Sequence, residues 1–197
     1  MTYEQKAAEV YEVTGLISDD PLKQQGRPGA RQYSHKPGDM ALEKCPECGA
    51  PSMLSEFAWY LDRGWIEHRE RGRRMVMVGP AALDAIIDRL MENLGETIPR
   101  VIVEAERRFI RTGFYGLEEI TPVELFRQQF ALRGLGNLSE VEWLEDRLRI
   151  RLENPCIHPV LVGVMQGFFE LVSGGQAKAE WSVSDDGDLI VEISSAD

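Results

Sequence analysis

Residues 147–193 read RLRIRLENPCIHPVLVGVMQGFFELVSGGQAKAEWSVSDDGDLIVEI. The first seven alternate without a break, with Leu148, Ile150 and Leu152 on one face and Arg147, Arg149 and Arg151 on the other. A period of two with one apolar face is the mark of a half-buried antiparallel strand. Asn154-Pro155-Cys156-Ile157-His158-Pro159 interrupts the pattern, and Val160 to Val172 follows as an apolar run too long for a strand, stopped by Ser173-Gly174-Gly175. That run predicts a helix. Ala179, Trp181 and Val183 then alternate with Lys178, Glu180 and Ser182, Asp186-Gly187 turns the chain, and Leu189, Val191 and Ile193 return it as a hairpin. Leu138 to Glu145 supplies one further strand, joined to Arg147–Glu153 through a turn at Glu145-Asp146. The order strand, strand, helix, strand, strand predicts an α/β (α+β) fold, a mainly antiparallel sheet with helices packed on it.

Upstream, Pro80 to Leu94 carries Leu83, Ile86, Ile87, Leu90, Met91 and Leu94 on one stripe, with a proline in the first turn and Gly95 past the end. Ile98 to Arg111 reads as a second helix, and the capping-box pattern Thr121-Pro122-Val123-Glu124 opens a third that ends near Gly134. Leu54–Leu61, Trp65–Arg69 and Arg74–Val78 form a small β meander around turns at Asp62-Arg63-Gly64 and Gly72. Tyr3 to Thr14 predicts a short amphipathic helix, and periodicity is lost from Leu16 to Lys44. The expected organisation is an N-terminal helix and irregular arm over 1–44, a Cys-containing, zinc-knuckle-like meander over 45–78, and a ligand-binding domain over 79–197.

The 197 residues carry 22 Lys plus Arg against 33 Asp plus Glu, a net charge of −11. The surplus sits late: residues 112–197 hold 6 cations and 15 anions. A nucleic-acid role is not expected from such a balance, because binding to phosphates needs clustered cations. The run Arg69, Arg71, Arg73, Arg74 is the one basic patch, and it reads as a solvated hairpin or a contact for an acidic partner. No uncharged stretch reaches the roughly 20 apolar residues of a membrane span. Glu4 and Glu9 stand where a secretory signal would be basic and apolar, so a cytoplasmic location is expected.

The terminal pattern resembles the 4-vinyl reductase-like family of predicted hydrocarbon- or small-molecule-binding domains, which is related in fold to transport-particle subunits of Golgi traffic and to haem–nitric-oxide-binding domains. The likeness rests on the Arg147–Glu153 strand, Cys156 just before the Gly-containing helix Val162-Gly163-Val164-Met165-Gln166-Gly167-Phe168-Phe169, and the hairpin closing around Gly187. Family members commonly carry further cysteines in that hairpin, whereas here it holds Trp181 and Leu189 to Ile193. The resemblance implies a hydrophobic ligand between helices and sheet, walled here by Trp143, Met165, Phe168, Phe169 and Trp181, with Cys156 and His158 as orienting groups.

Cys45-Pro46-Glu47-Cys48-Gly49 has the spacing of a zinc knuckle, which presents two thiolates to one ion and supplies half of a tetrahedral site. Cys156 and His158, two residues apart on one loop, are the expected remaining ligands, with His35 and His68 as lesser candidates. A four-thiolate site shared by two subunits is an alternative, and a buried, non-ligating Cys156 is another. Redox catalysis fits poorly, because Cys45 does not follow a strand at the start of a long helix. No Ser/His/Asp order, phosphate-cradling loop or paired-carboxylate motif stands out, so no catalytic residue is expected. The sequence therefore predicts non-enzymatic binding or sensing of a small hydrophobic molecule by a homodimer, with zinc as the candidate cofactor. Auxiliary work in tetrapyrrole (vinyl) reduction and a zinc-ribbon interaction module are the alternatives.

Overall fold

The computed structural model describes residues 35–38, 40, 42–114, 123–144 and 146–196. The helix expected over Tyr3–Thr14 and the cap residues Thr121 and Pro122 lie outside them. In chain order the elements are a 3-10 turn (Ser52–Glu56), β1 (Phe57–Tyr60), β2 (Trp65–His68), β3 (Arg73–Met75), α1 (Pro80–Leu94), α2 (Ile98–Phe109) with a π-helical turn (Ile110–Phe114), α3 (Val123–Leu132), β4 (Asn137–Trp143), β5 (Arg147–Glu153), α4 (His158–Ser173), β6 (Ala177–Val183) and β7 (Leu189–Ser195). The strands form two antiparallel sheets, β1-β2-β3 and β4-β5-β7-β6. The expected α+β class is the observed one. Among the described residues no helix is long and apolar enough to cross a membrane.

The four-stranded sheet follows the alternation of its sequence. Leu148, Ile150 and Leu152 of β5 and Leu189, Val191 and Ile193 of β7 are buried on one face, while Arg147, Arg149 and Glu192 point away from it. Against the buried face lies α4, apolar on nearly every side apart from Gln166 and Glu170, the pattern of a helix enclosed on both sides. On its far side α2 crosses at very short range. A Cβ on Gly163 would stand 2.5 Å from the Val103 carbonyl oxygen and 2.6 Å from Glu106 Cβ. One on Gly167 would stand 2.6 Å from Ile110 Cβ. The two glycines are one turn apart, and they let the α2 backbone rest directly on α4. Phe126 and Phe130 of α3 complete the core, with the Phe126 ring perpendicular to Phe168 at 5.1 Å.

Two buried carboxylates tie the layers together. Glu170 of α4, wholly enclosed, accepts hydrogen bonds from Arg107 Nη1 at 2.7 and 3.0 Å and from the Ala177 main-chain N–H at 2.8 Å. Arg111 Nη1 lies 3.2 Å away. Gln166 donates to the Ala177 carbonyl at 2.7 Å, so the first residue of β6 is held at both main-chain groups by side chains of α4. At the other end of the sheet Asp188, also wholly enclosed, accepts from Lys36 Nζ at 2.6 Å and from Arg151 Nε and Nη2 at 2.9 and 2.7 Å. The Lys36 main chain pairs reciprocally with the Asn154 amide, N–H to Oδ1 at 2.6 Å and Nδ2 to carbonyl at 2.8 Å. Asn154 itself stands in the left-handed region, at φ 50°.

These pairs set an acid dependence. Hydrogen bonding from Arg107, reinforced by Arg108, holds the Glu104 carboxyl down at about 2. Burial pushes Asp188 up, but Lys36 and Arg151 outweigh it and leave the group below its ordinary value. A carboxylate depressed in the folded state contributes stability above its unfolded pKa and loses it as pH falls toward the folded one. Unfolding by denaturant should therefore grow steadily easier from about pH 5 down to about 2. A flat profile between pH 5 and 3 would contradict this.

Two local expectations differ from the structure. The start of the segment Leu54–Leu61 is a 3-10 turn, because Pro51 at φ −55° opens a turn that Leu54 N–H closes onto the Pro51 carbonyl at 3.0 Å. Ser55 Oγ further bonds the Ser52 carbonyl at 2.8 Å. The strand expected over Arg74–Val78 ends at Met75, since its partner β2 pairs only through Ile66, leaving Val76 and Met77 exposed.

Candidate functional site

The apolar layer between α4 and the sheet holds the side chains expected to wall a ligand. Met165 and Phe169 are fully enclosed and Phe168 nearly so, while Trp143 and Trp181 are half-buried against the same cluster. Phe168 and Phe169 are successive on the helix, so their rings diverge by about 100°. Phe169 meets Trp143, centroids 5.8 Å apart and planes 31° apart, whereas Phe168 turns to Phe126. Trp143 is aligned across the sheet with Leu148, Ile193 and Ala179, and Trp181 with Val191, Ile150 and Val141. Since β4 and β6 are the two edges, three strand spacings of about 4.8 Å and an offset of two residues along the strands put the tryptophan Cα atoms about 16 Å apart. The structure thus joins Trp143 to Phe169 and sets Trp181 at the opposite edge. On the outer face of this sheet, away from that layer, a cleft of about 400 Å³ is bordered by Glu142, Arg147, Arg149, Lys178, Glu180 and Glu192.

The four expected metal ligands fall into two separate pairs. Cys45 and Cys48 share an exposed turn ahead of the meander. Cys156 packs in the main core beside Ile157, its N–H bonded to the Leu135 carbonyl at 3.3 Å, and His158 begins α4. Among the described residues no three His, Cys, Asp or Glu side chains gather as a metal site. The expected grouping of Cys156 and His158 with Cys45 and Cys48 is not seen among them. Cys156 is buried in the apolar core, with the Asp84 carboxylate near enough to act on it. His68, a lesser candidate, is buried with its ring at right angles to Phe57 and Nε2 3.6 Å from Glu56.

The two kinds of cysteine differ in chemistry. Main-chain N–H groups of Cys48 and Glu47, with the Cys48 thiol, lower the Cys45 pKa. Burial raises that of Cys156, and the charge of Asp84 adds to the effect. Only the thiolate attacks an alkylating agent. With iodoacetamide at neutral pH, peptide-level mass spectrometry should find Cys45 modified well before Cys156, and equal rates would contradict the assignment.

The sequence reading did not single out the enclosed carboxylates. Glu170 had a signal, being the one carboxylate in an otherwise apolar helix. Asp188 had none to separate it from Asp185 and Asp186 beside it.

No protein-family model matches the chain, and no curated protein matches it in sequence. Among solved structures, the fold is similar to the phenol-responsive sensory domain of the transcription activator PoxR, determined with phenol. The TM-score is 0.56 at 11% identity, over 74% of this chain and 91% of that one. A vinyl-4-reductase family protein from Methanocaldococcus jannaschii follows at TM-score 0.43 and 16% identity, over 62% of this chain and 85% of that one. A structure from the H-NOX family has TM-score 0.43 and 13% identity, over 66% and 79%. The likeness to PoxR establishes that this α+β fold is one that a sensory domain also uses.

Proposed function

We propose that the α+β region of this chain binds a small hydrophobic molecule without chemical turnover, as a sensing or binding module. The observation that carries this reading is the fold shared with nearly the whole of a phenol-responsive sensory domain. Fold alone does not transmit function, which resides in the side chains the fold positions. The layer between α4 and the sheet supports the reading by its composition, being apolar and aromatic, with Trp143 packed on Phe169 at its β4 side. A small aromatic molecule beside that pair would exchange one ring contact for another.

Thermal unfolding of the full chain against phenol and a panel of small apolar compounds tests the proposal, read together with tryptophan fluorescence. Ligand at 100 times its dissociation constant stabilises by about 2.7 kcal/mol. In a chain of this size that is roughly 5–10 °C. A saturable shift with quenching that Trp143→Phe removes is the expected result. Absence of any shift across the panel, together with no small molecule retained in native mass spectrometry, would sink it.

A further inference from the structure

The Cys45–Gly49 turn is closed and braced by main-chain hydrogen bonds. Its base is a short antiparallel clip in which Lys44 bridges Pro51, Cys45 N–H bonds the Ala50 carbonyl at 2.7 Å and Ser52 N–H bonds the Glu43 carbonyl at 2.7 Å. Gly49 N–H closes the turn on the Cys45 carbonyl at 2.9 Å. Gly49 takes φ 73°, which a side chain would resist. Within the loop the Glu47 and Cys48 main-chain N–H groups donate to Cys45 Sγ, and the two thiols are in hydrogen-bond contact. Two sulfurs three residues apart in a closed, exposed turn can face one ion together.

What completes the coordination follows from counting donors. The chain has three cysteines and three histidines, and all six lie among the described residues. Cys156 is enclosed in the core, and none of the described His, Cys, Asp or Glu side chains joins the pair to make three. Two further sulfur or nitrogen donors would therefore come from another molecule. A second copy offers the same two sulfurs on the same exposed tip, and a two-fold axis through the ion would arrange all four as a tetrahedron.

We propose that two copies of this chain share one zinc ion, held by Cys45 and Cys48 of each. Four thiols lose their protons to the solvent as one Zn²⁺ binds, four Zn–S bonds form, and no redox change occurs. Affinity should rise with pH for that reason.

The test uses the full chain, purified under reducing conditions, loaded with zinc and freed of excess. The expected result is half an equivalent of zinc per chain in a dimer that a chelator converts to monomer. Cys45→Ser and Cys48→Ser should each lose both metal and dimer while keeping a native circular dichroism spectrum, and Cys156→Ser should keep both. Cobalt(II) in place of zinc should give tetrahedral d–d bands with strong sulfur-to-metal charge transfer. One equivalent per chain, no zinc retained, half an equivalent that survives Cys48→Ser, or a dimer that outlasts removal of the metal would each overturn the proposal.

Discussion

Gly163→Ala should lower the stability of the fold by about 3 kcal/mol, the upper end of what overpacking a core costs. In an ordinary helix the same change is favourable by about 1 kcal/mol, because glycine is the poorer helix former. The opposite sign is expected here because the added carbon would stand 2.5 Å from the Val103 carbonyl oxygen, a main-chain atom that cannot swing away. Relief requires α2 to lift from α4, which also loosens the contact of Ile110 with Gly167 one turn on. A loss of about 3 kcal/mol is roughly 6–12 °C in melting temperature. Denaturant titration against the parent chain checks it, and a variant at least as stable as the parent would show that the helices do not meet there. Gly174→Ala is not a suitable control, since Gly174 ends the helix at φ 73°.

Replacement of Glu170 by Ala should be as costly or more so, about 3–5 kcal/mol, the range for removing one partner of a buried ion pair. The loss has two parts. Arg107, only 15% exposed at its side chain, would keep Glu104 but lose its enclosed partner at Nη1, and the Ala177 N–H would lose its acceptor. The chain Arg107→Met, Glu170→Leu should recover part of the deficit, because a well-packed apolar pair can replace an ionic one at little cost. Equal stability of Glu170→Ala and the parent, measured by urea unfolding, would remove Glu170 from the structural account.

Where periodicity was strong, the elements could be read directly. Pro80–Leu94 and Arg147–Glu153 have the same ends in sequence and structure, because a proline-opened, glycine-closed stripe and an unbroken alternation leave little freedom. The helix expected over Val160–Val172 begins two residues earlier, at His158, since Pro159 fits the first turn. The sheet order β4-β5-β7-β6 was not legible, because alternation says which face is buried and not which strand is neighbour. The site was legible in its residue types and not in its grouping. Trp143 and Trp181 read alike in sequence, and only strand order puts them on opposite edges. Cys156 beside His158 suggests ligands converging on an ion, yet a loop leading into an enclosed helix has more apolar surface to cover than polar partners to offer.

The Lys36 clasp has a kinetic consequence. Its bonds to Asn154 and Asp188 join residues 118 and 152 positions apart, so they close the longest loops described in the domain. Loop closure must be offset by contacts already made, and here the receiving surface exists only once β5 and β7 have paired. The clasp is therefore a late event in folding. Lys36→Met should raise the unfolding rate and leave the refolding rate almost unchanged, as expected for an interaction absent from the transition state. The segment around Lys36 then governs how long the folded domain lasts, and has little part in how quickly it forms.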